Sequence, residues 1–405
     1  MSVNEHQLSS QIRTLPWSAK LFIKLLRRLS HGSLTLIDPQ GIELVLGAAG
    51  QSPHAHLKIL DWRAAGLILR QGDVGFAQAL RNGWLDTPDM LALFILALRN
   101  QSVAAAIDGH WWALLFKRLK HWVLRDNSRR GSRRNIVSHY DLGNDFYALW
   151  LDPSMTYSAA FFAGDMTLDL QTAQHRKYDR ILDQLDIKAG QRILEVGCGW
   201  GGFAQRAAER GARVVGITLS DAQLEFAQAR MRQFGLDHLV DIVLLDYRDV
   251  TEKFDHVVSI EMFEAVGLLH WPSYFQMLAR ACKSEGRIVV QTIDIQDEHF
   301  ESYRTGTDFI QQFIFPGGML PSPTRFAHEC SRAGLVVASS QSLGLDYAET
   351  LRRWTQKFEA QVGAVRDQGF DDAFIRIWRM YLAYCEAGFR VGRTDVKQWT
   401  LHVVS

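Results

Sequence analysis

Residues Arg192-Ile-Leu-Glu-Val-Gly-Cys-Gly-Trp-Gly-Gly-Phe203 constrain the fold of this chain more than any other stretch. Apolar or β-favouring positions run straight into Gly197, Gly199 and Gly201, and Phe203-Ala-Gln-Arg-Ala-Ala-Glu-Arg210 behind them has helical composition. The pattern predicts a buried strand, a tight turn and a helix. Glycines suit such a turn because it needs unusual backbone angles and lets a ligand approach the main chain without meeting a Cβ. The spacing Gly197-Cys-Gly199-Trp-Gly201-Gly202 lacks the G-x-G-x-x-G register, so nothing demands a pyrophosphate on the helix N-terminus.

Alternating elements continue beyond that turn. Strands are expected at Arg213 to Thr218, Val240 to Leu245, His256 to Ile260 and Gly286 to Thr292, with a helix at Asp221 to Phe234 capped by Ser220 or Asp221. Such βα alternation predicts an α/β fold with a parallel sheet covered on both faces. Ligands in these sheets bind at the carboxyl ends of strands, so Gly197 to Gly201, Thr218 to Gln223, Asp246 to Arg248 and Ile260 to Glu264 should converge on one crevice.

With 405 residues the chain exceeds one small core, and two domains are expected. A formal charge of +1 argues against a general polyanion binder, nucleic acid included. Cys198, Cys282, Cys330 and Cys385 show no C-x-x-C or zinc spacing, and His139, His270 and His328 lack companion ligands, so reduced thiols and no metal are expected. Neither a signal-peptide core nor a run of about 20 apolar residues is present. The expected location is therefore cytoplasmic, with any contact to lipid made peripherally at the inner face of the membrane.

The first domain, 1–124, is expected to be a small α+β accessory unit. Trp17 to Leu29 places Leu21, Phe22, Leu25 and Leu29 on one helical face and Lys20, Lys24, Arg27 and Arg28 largely on the other. That pattern suits either an anionic bilayer surface or a domain helix with a solvated polar face. Gly32 to Leu46 alternates about a Pro-Gln-Gly turn and predicts a hairpin. Trp111 to Arg125 mixes apolar bulk, aromatic rings and cations as a helix at a lipid interface or between domains would, and the arginine-rich 125–134 reads as a linker, either a solvated connection or one that grips phosphate headgroups. The second domain occupies 135–405.

Glu195 ahead of Gly197 makes an acid-x-G-x-G turn that resembles motif I of S-adenosylmethionine-dependent methyltransferases. With His139-Tyr-Asp-Leu-Gly-Asn144, Met155-Thr-Tyr-Ser158, Gly216-Ile-Thr-Leu-Ser220, Asp246-Tyr-Arg-Asp249, Met262-Phe-Glu264, Phe315-Pro-Gly-Gly318 and Asp346-Tyr347, the second domain resembles the cyclopropane-fatty-acyl-phospholipid synthases and the mycolic acid cyclopropane synthases. The resemblance implies a Rossmann-like class I methyltransferase sheet. It also implies methyl transfer from S-adenosyl-L-methionine to the double bond of an unsaturated acyl chain, and the accessory domain favours phospholipid as the carrier. By position, Tyr157, Ser158, Gly197, Gly199, Thr218, Gln223, Tyr247 and Arg248 would hold the methyl donor. Glu195, Cys198, Gly201, Leu219 and Asp246 from the same motifs are grouped with them.

Methyl transfer leaves a carbocation in the acyl chain, which aromatic faces and a carboxylate would stabilise. Tyr140, Phe263, Phe315 and Tyr347 are candidates for the first role and Glu264 for the second. Ring closure needs a base, which in the resembled enzymes is a bound bicarbonate. Its positions correspond here to Ala159, Ile260, Glu264, Gln291 and Tyr347. Gln291 replaces a histidine, Ala265 replaces another, and Glu261 stands where those enzymes usually have glycine. An extra carboxylate would repel bicarbonate, yet Glu261 could itself serve as base. Cys385 is a further catalytic candidate. Another course of proton loss would leave a methylene or a relocated double bond, open to reduction by a partner enzyme. A homodimer is left open. Amine N-methylation and non-catalytic lipid binding are the competing classes.

Overall fold

The structure is a computed structural model that describes residues 15–48, 50–103 and 142–404. The expected helix at 111–125, the linker 125–134 and Tyr140 lie outside the described residues.

The chain forms two compact units, one of 1–121, 306–313 and 369–391, the other of 122–305, 314–368 and 392–405. The segments 306–313 and 369–391, expected in the second domain, thus pack within the first unit. The helix Asp372–Arg390 shows why: its buried stripe includes Ile375, Trp378, Leu382 and Phe389, and it packs on the helices Arg63–Arg81 and Met90–Arg99. An apolar period announces such a helix without naming the core that receives it.

In the first unit, strands β1 (Ser33–Ile37), β2 (Glu43–Gly47), β3 (His54–Ile59) and β4 (Leu85–Asp86) form a sheet in the order β2-β1-β3-β4. β1 and β2 make the expected antiparallel hairpin. The basic helix Trp17–Leu26 turns Phe22, Ile23, Leu25 and Leu26 into the unit's core while Lys24 stays exposed. Its apolar face is therefore occupied by protein. That corrects the bilayer expectation for this helix, which leaves only Trp17, 72% exposed, as an outward aromatic.

The second unit holds β5 (Arg192–Val196), β6 (Arg213–Thr218), β7 (Val240–Leu244), β8 (Phe254–Ile260), β9 (Cys282–Ile295), β10 (Leu335–Ser342) and β11 (Thr394–Val403), ordered β10-β11-β9-β8-β5-β6-β7. β5 through β9 are parallel, while β11 runs antiparallel between β9 and β10. The chain steps outward from β5 to β6 and β7, then returns to β8 on the other side of β5. The order reverses there, and loops leaving β5 and β8 diverge to open a crevice. Register places Ile260, Gln291 and Gln398 in one row across β8, β9 and β11. Ser220 caps the helix Asp221–Gln233 by accepting from Gln223 N.

Candidate active site

A cleft opens at that reversal point. Tyr157, Ser158, Glu195, Gly197, Cys198 and Gly199 line one part of it. Thr218, Leu219, Gln223, Tyr247, Ile260 and Glu261 line the rest, joined by Met262 and Ala265. Gly197 has φ 82°, and a Cβ there would stand 2.7 Å from Met262 Cγ, so the position has room only for hydrogen. Gly199 has φ 51° and no heavy atom within 4 Å of a Cβ position, which leaves its backbone open.

Three candidates for cofactor contact, Gly201, Asp246 and Arg248, are not among the residues that line this cleft. Gly201 starts the helix Gly202–Glu209 and faces Ala227 and Met231. Asp246 and Arg248 pair with each other at 2.6 Å, with both side chains largely shielded. Their partner Tyr247 reaches the cleft between them.

The walls differ in character. Tyr157 is backed by Tyr147, Trp150 and Trp354 at ring-centroid distances of 5.4, 5.5 and 5.4 Å, and Phe315 stacks on it at 6.4 Å. On the polar side Thr218 Oγ1 donates to Gln223 Oε1 at 2.9 Å. Glu195 keeps Oε2 buried with no partner among the described residues. An open glycine turn, an aromatic wall and a buried carboxylate oxygen awaiting a donor fit S-adenosylmethionine, which carries a flat base and an ammonium.

Phe263 does not join this wall. It is fully buried among Trp271, Tyr274, Phe275 and Phe326, so it is a core residue. Cys385 lies in the first unit on the helix Asp372–Arg390, outside the cleft lining, and burial pushes its thiol up.

Glu261 is the departure with structural consequences. Its backbone is left-handed, φ 48°, a region that costs a residue with a Cβ about 1 kcal/mol or more. Its Oε1 accepts from Ala159 N at 2.8 Å and from Gln291 Nε2 at 2.7 Å, and the Tyr347 side chain also hydrogen-bonds the carboxylate. Its own N–H donates to Gln291 O at 2.7 Å. Burial raises its affinity for a proton, opposed chiefly by the charge of Lys177.

Glu264 is held by different partners. Its Oε1 accepts from Ile293 N at 2.6 Å and Thr292 Oγ1 at 2.9 Å, while Oε2 is buried without a partner. Burial, with Glu261 adding repulsion, lifts it to about 8. Ile260 ends β8, next in the chain to Glu261, and lines the cleft with it.

Several residues were not foreseen. On the helix Leu170–Leu185, Gln174 donates to Ser158 O at 2.9 Å, Lys177 Nζ to Ser158 Oγ at 2.6 Å, and Tyr178 shares a hydrogen with Thr156 Oγ1 at 2.8 Å. This helix therefore fixes the strip that carries Tyr157, Ser158 and Ala159. Burial presses Lys177 down to about 7 against the pull of Glu261, Asp152 and Glu195. The available signal was compositional: Gln174 and Lys177 occupy the buried stripe defined by Leu170, Ala173, Ile181 and Leu185.

The family model described as Mycolic acid cyclopropane synthetase matches residues 127–399. Tuberculostearic acid methyltransferase UfaA1 of Mycobacterium tuberculosis is 38% identical over 95% of this chain and 91% of its own. Cyclopropane-fatty-acyl-phospholipid synthase of Escherichia coli K12 is 34% identical over 82% of this chain and 83% of its own. The crystal structure of mycolic acid cyclopropane synthase CmaA1 complexed with SAH and CTAB superposes with a TM-score of 0.62 at 33% identity, covering 67% of this chain and 98% of that one. Matched over residues 127–399 by the family model and over 95% of its length by a curated relative, the chain belongs to the mycolic acid cyclopropane synthetase family of S-adenosylmethionine-dependent methyltransferases.

Proposed function

We propose that this methyltransferase methylates the double bond of an unsaturated fatty acyl chain of a membrane phospholipid and releases it without closing a ring. The observation that carries the proposal is the position of the Glu261 carboxylate. It accepts hydrogen bonds from Ala159 N, Gln291 and Tyr347, residues at the positions where the resembled enzymes hold bicarbonate. A protein carboxylate anchored there excludes a second anion by charge and by volume.

Bound in the cleft, S-adenosylmethionine supplies an electrophilic methyl on a cationic sulfur. Gly197 and Gly199 give it backbone access, Thr218 and Gln223 offer polar contacts, and Tyr157 with Tyr247 supplies aromatic faces. Glu195 and Ser158 complete the polar set. Holding an inert olefin in line with that methyl is worth roughly 7–11 kcal/mol, and the aromatic wall of Tyr157 and Phe315 can serve that end.

The olefin's π pair forms the new carbon–methyl bond and leaves a cation on the neighbouring carbon. In ring closure a base takes a methyl proton and the released pair bonds to that cation. A carboxylate fixed by Ala159 N, Gln291 and Tyr347 cannot follow the new methyl group as a mobile anion can. A longer-lived cation allows the hydrogen on the methyl-bearing carbon to migrate with its pair, moving the charge there. Loss of a methyl proton to Glu261 then gives a methylene branch; loss from the chain gives a relocated double bond. Reduction to a methyl branch would require a hydride-donating partner. The match to a tuberculostearic acid methyltransferase over 95% of this chain supports this outcome over ring closure.

The substrate's carrier places the enzyme at a bilayer surface. Among the described residues no helix is long and apolar enough to cross a membrane, which is compatible with peripheral attachment. The test is incubation with a labelled methyl donor and unsaturated phospholipid vesicles in the presence of competing amines. Label in acyl chains that keep an olefin supports the proposal. Label in saturated acyl chains supports the ring, and label in the amines contradicts both.

A further inference from the structure

A chain of side-chain hydrogen bonds runs from the protein surface to Glu261. Arg180 Nε donates to Gln398 Oε1 at 3.0 Å, Gln398 Nε2 donates to Gln291 Oε1 at 3.0 Å, and Gln291 Nε2 donates to Glu261 Oε1 at 2.7 Å. Gln398 and Gln291 are both fully buried. The strand register that sets Gln398 opposite Gln291, and Gln291 opposite Ile260, aligns the two amides.

The direction of this chain follows from its ends. A guanidinium has five donors and no acceptor, so Gln398 must turn its oxygen toward Arg180 and its amide hydrogens inward. Gln291 must then receive with its oxygen and donate with its nitrogen. An ionised carboxylate only accepts, so the far end agrees with the near one. Without the cation Gln398 could reverse and would then face Gln291 with an oxygen, acceptor against acceptor, loosening the amide that donates to Glu261 Oε1 and, at 3.5 Å, to Ala159 O.

We propose that Arg180 is a positioning residue that, through Gln398 and Gln291, fixes the direction in which hydrogen is donated to the Glu261 carboxylate. The proposal rests on Glu261 as the working carboxylate of the site. Arg180 lies half-buried over the Phe161 ring at 5.4 Å, beside Arg176, Asp179 and Asp183. Those two acids are engaged elsewhere, Asp179 with Arg206 at 2.8 Å and Asp183 with Arg210 at 2.8 Å. Facing Glu261 itself are Lys177, Glu264 and the Tyr347 hydroxyl, from three other elements. Each donated hydrogen favours the ionised form, and aligned donors polarise one another.

The test is an infrared titration of the Glu261 carboxyl in the full chain, assigned by subtracting the Glu261→Gln spectrum. In Arg180→Met the midpoint should rise by about one pH unit, a roughly tenfold loss of ionised carboxylate at a given pH. Gln398→Met, which breaks the same chain in a near-isosteric way, should give the same rise, and the double variant no further rise. Arg180→Lys, which also can only donate, should return the midpoint toward the parent value. Thermal melts and binding of S-adenosylhomocysteine identify variants that have lost their fold, and either single variant suffices for the measurement. An unmoved midpoint in a folded Arg180→Met or Gln398→Met overturns the proposal, as do shifts that add in the double variant. Product analysis of Glu261→Gln is read separately. An unchanged product there removes the role proposed for Glu261 in proton removal, while the titration still decides the role of Arg180.

Discussion

Gln291 donates its side-chain amide to the carboxylate of Glu261 at 2.7 Å and accepts that residue's backbone N–H at its own carbonyl, also at 2.7 Å. Adjacent strands thus hold the acid by both its main chain and its side chain. Glu261 keeps a left-handed backbone, φ 48°, because these bonds and that from Ala159 over-determine it.

Replacing Glu261 by glycine should relieve that backbone while vacating the anion position. The change should admit bicarbonate to the donors of Gln291 and Tyr347. Saturated ring product should then appear and grow with added bicarbonate, measured by gas chromatography of the acyl chains. Absence of any bicarbonate response would count against the anion-site account.

Gly199→Ala should weaken cofactor binding at least as much as it weakens the fold. The new methyl enters the open cleft from a backbone at φ 51°, at a conformational cost of about 1 kcal/mol. Calorimetry with S-adenosylhomocysteine should show at least a roughly tenfold loss of affinity, equivalent to about 1.4 kcal/mol. An unchanged affinity would place the ligand elsewhere.

Lys177→Met removes a donor from Ser158 and the cation that faces Glu261 and Glu195. Because burial already loosens its proton, the loss should be about 2 kcal/mol of stability, the range for a hydrogen bond involving a charged group. Denaturant melts measure it. Stability equal to that of the parent would mean that Lys177 is neutral and its bond to Ser158 dispensable.

Glu264 gives a pH dependence with a definite sign. The folded chain retains its proton to about 8, against an ordinary value of 4.5. The folded state therefore binds more protons across that window, and the contribution to stability is full below it and is lost as pH rises through about 8. Glu264→Gln should flatten the decline, seen in thermal melts across the alkaline end of the window. A steeper decline in the variant would reverse the assignment.

The parallel strands were legible because each is a short apolar run bounded by turn or cap residues, as in β5 ahead of Gly197 and β6 ahead of Ser220. β10 was not legible. After Leu335 nearly every position is exposed or partly exposed, so no apolar run marks it. Phe263 carried a site-like signature but fills the core, since an aromatic beside a catalytic acid looks the same in either role. Lys177 and Gln174 were hidden by the length of their side chains, which let polar ends reach the site from a helix face that otherwise reads as apolar. The link between Gln291 and Gln398 spans 107 residues and depends on strand register, which no local pattern encodes.

The account turns on whether the methylated chain keeps an olefin or closes a ring, and the most direct measurement is proton NMR of fatty acids methylated by the unaltered enzyme on unsaturated phospholipid vesicles. A ring and a methylene product have the same mass, so olefinic signals decide between them. Methylene-branch protons or relocated olefinic protons are predicted in the methylated product. Upfield cyclopropane protons with no olefinic signal would contradict it.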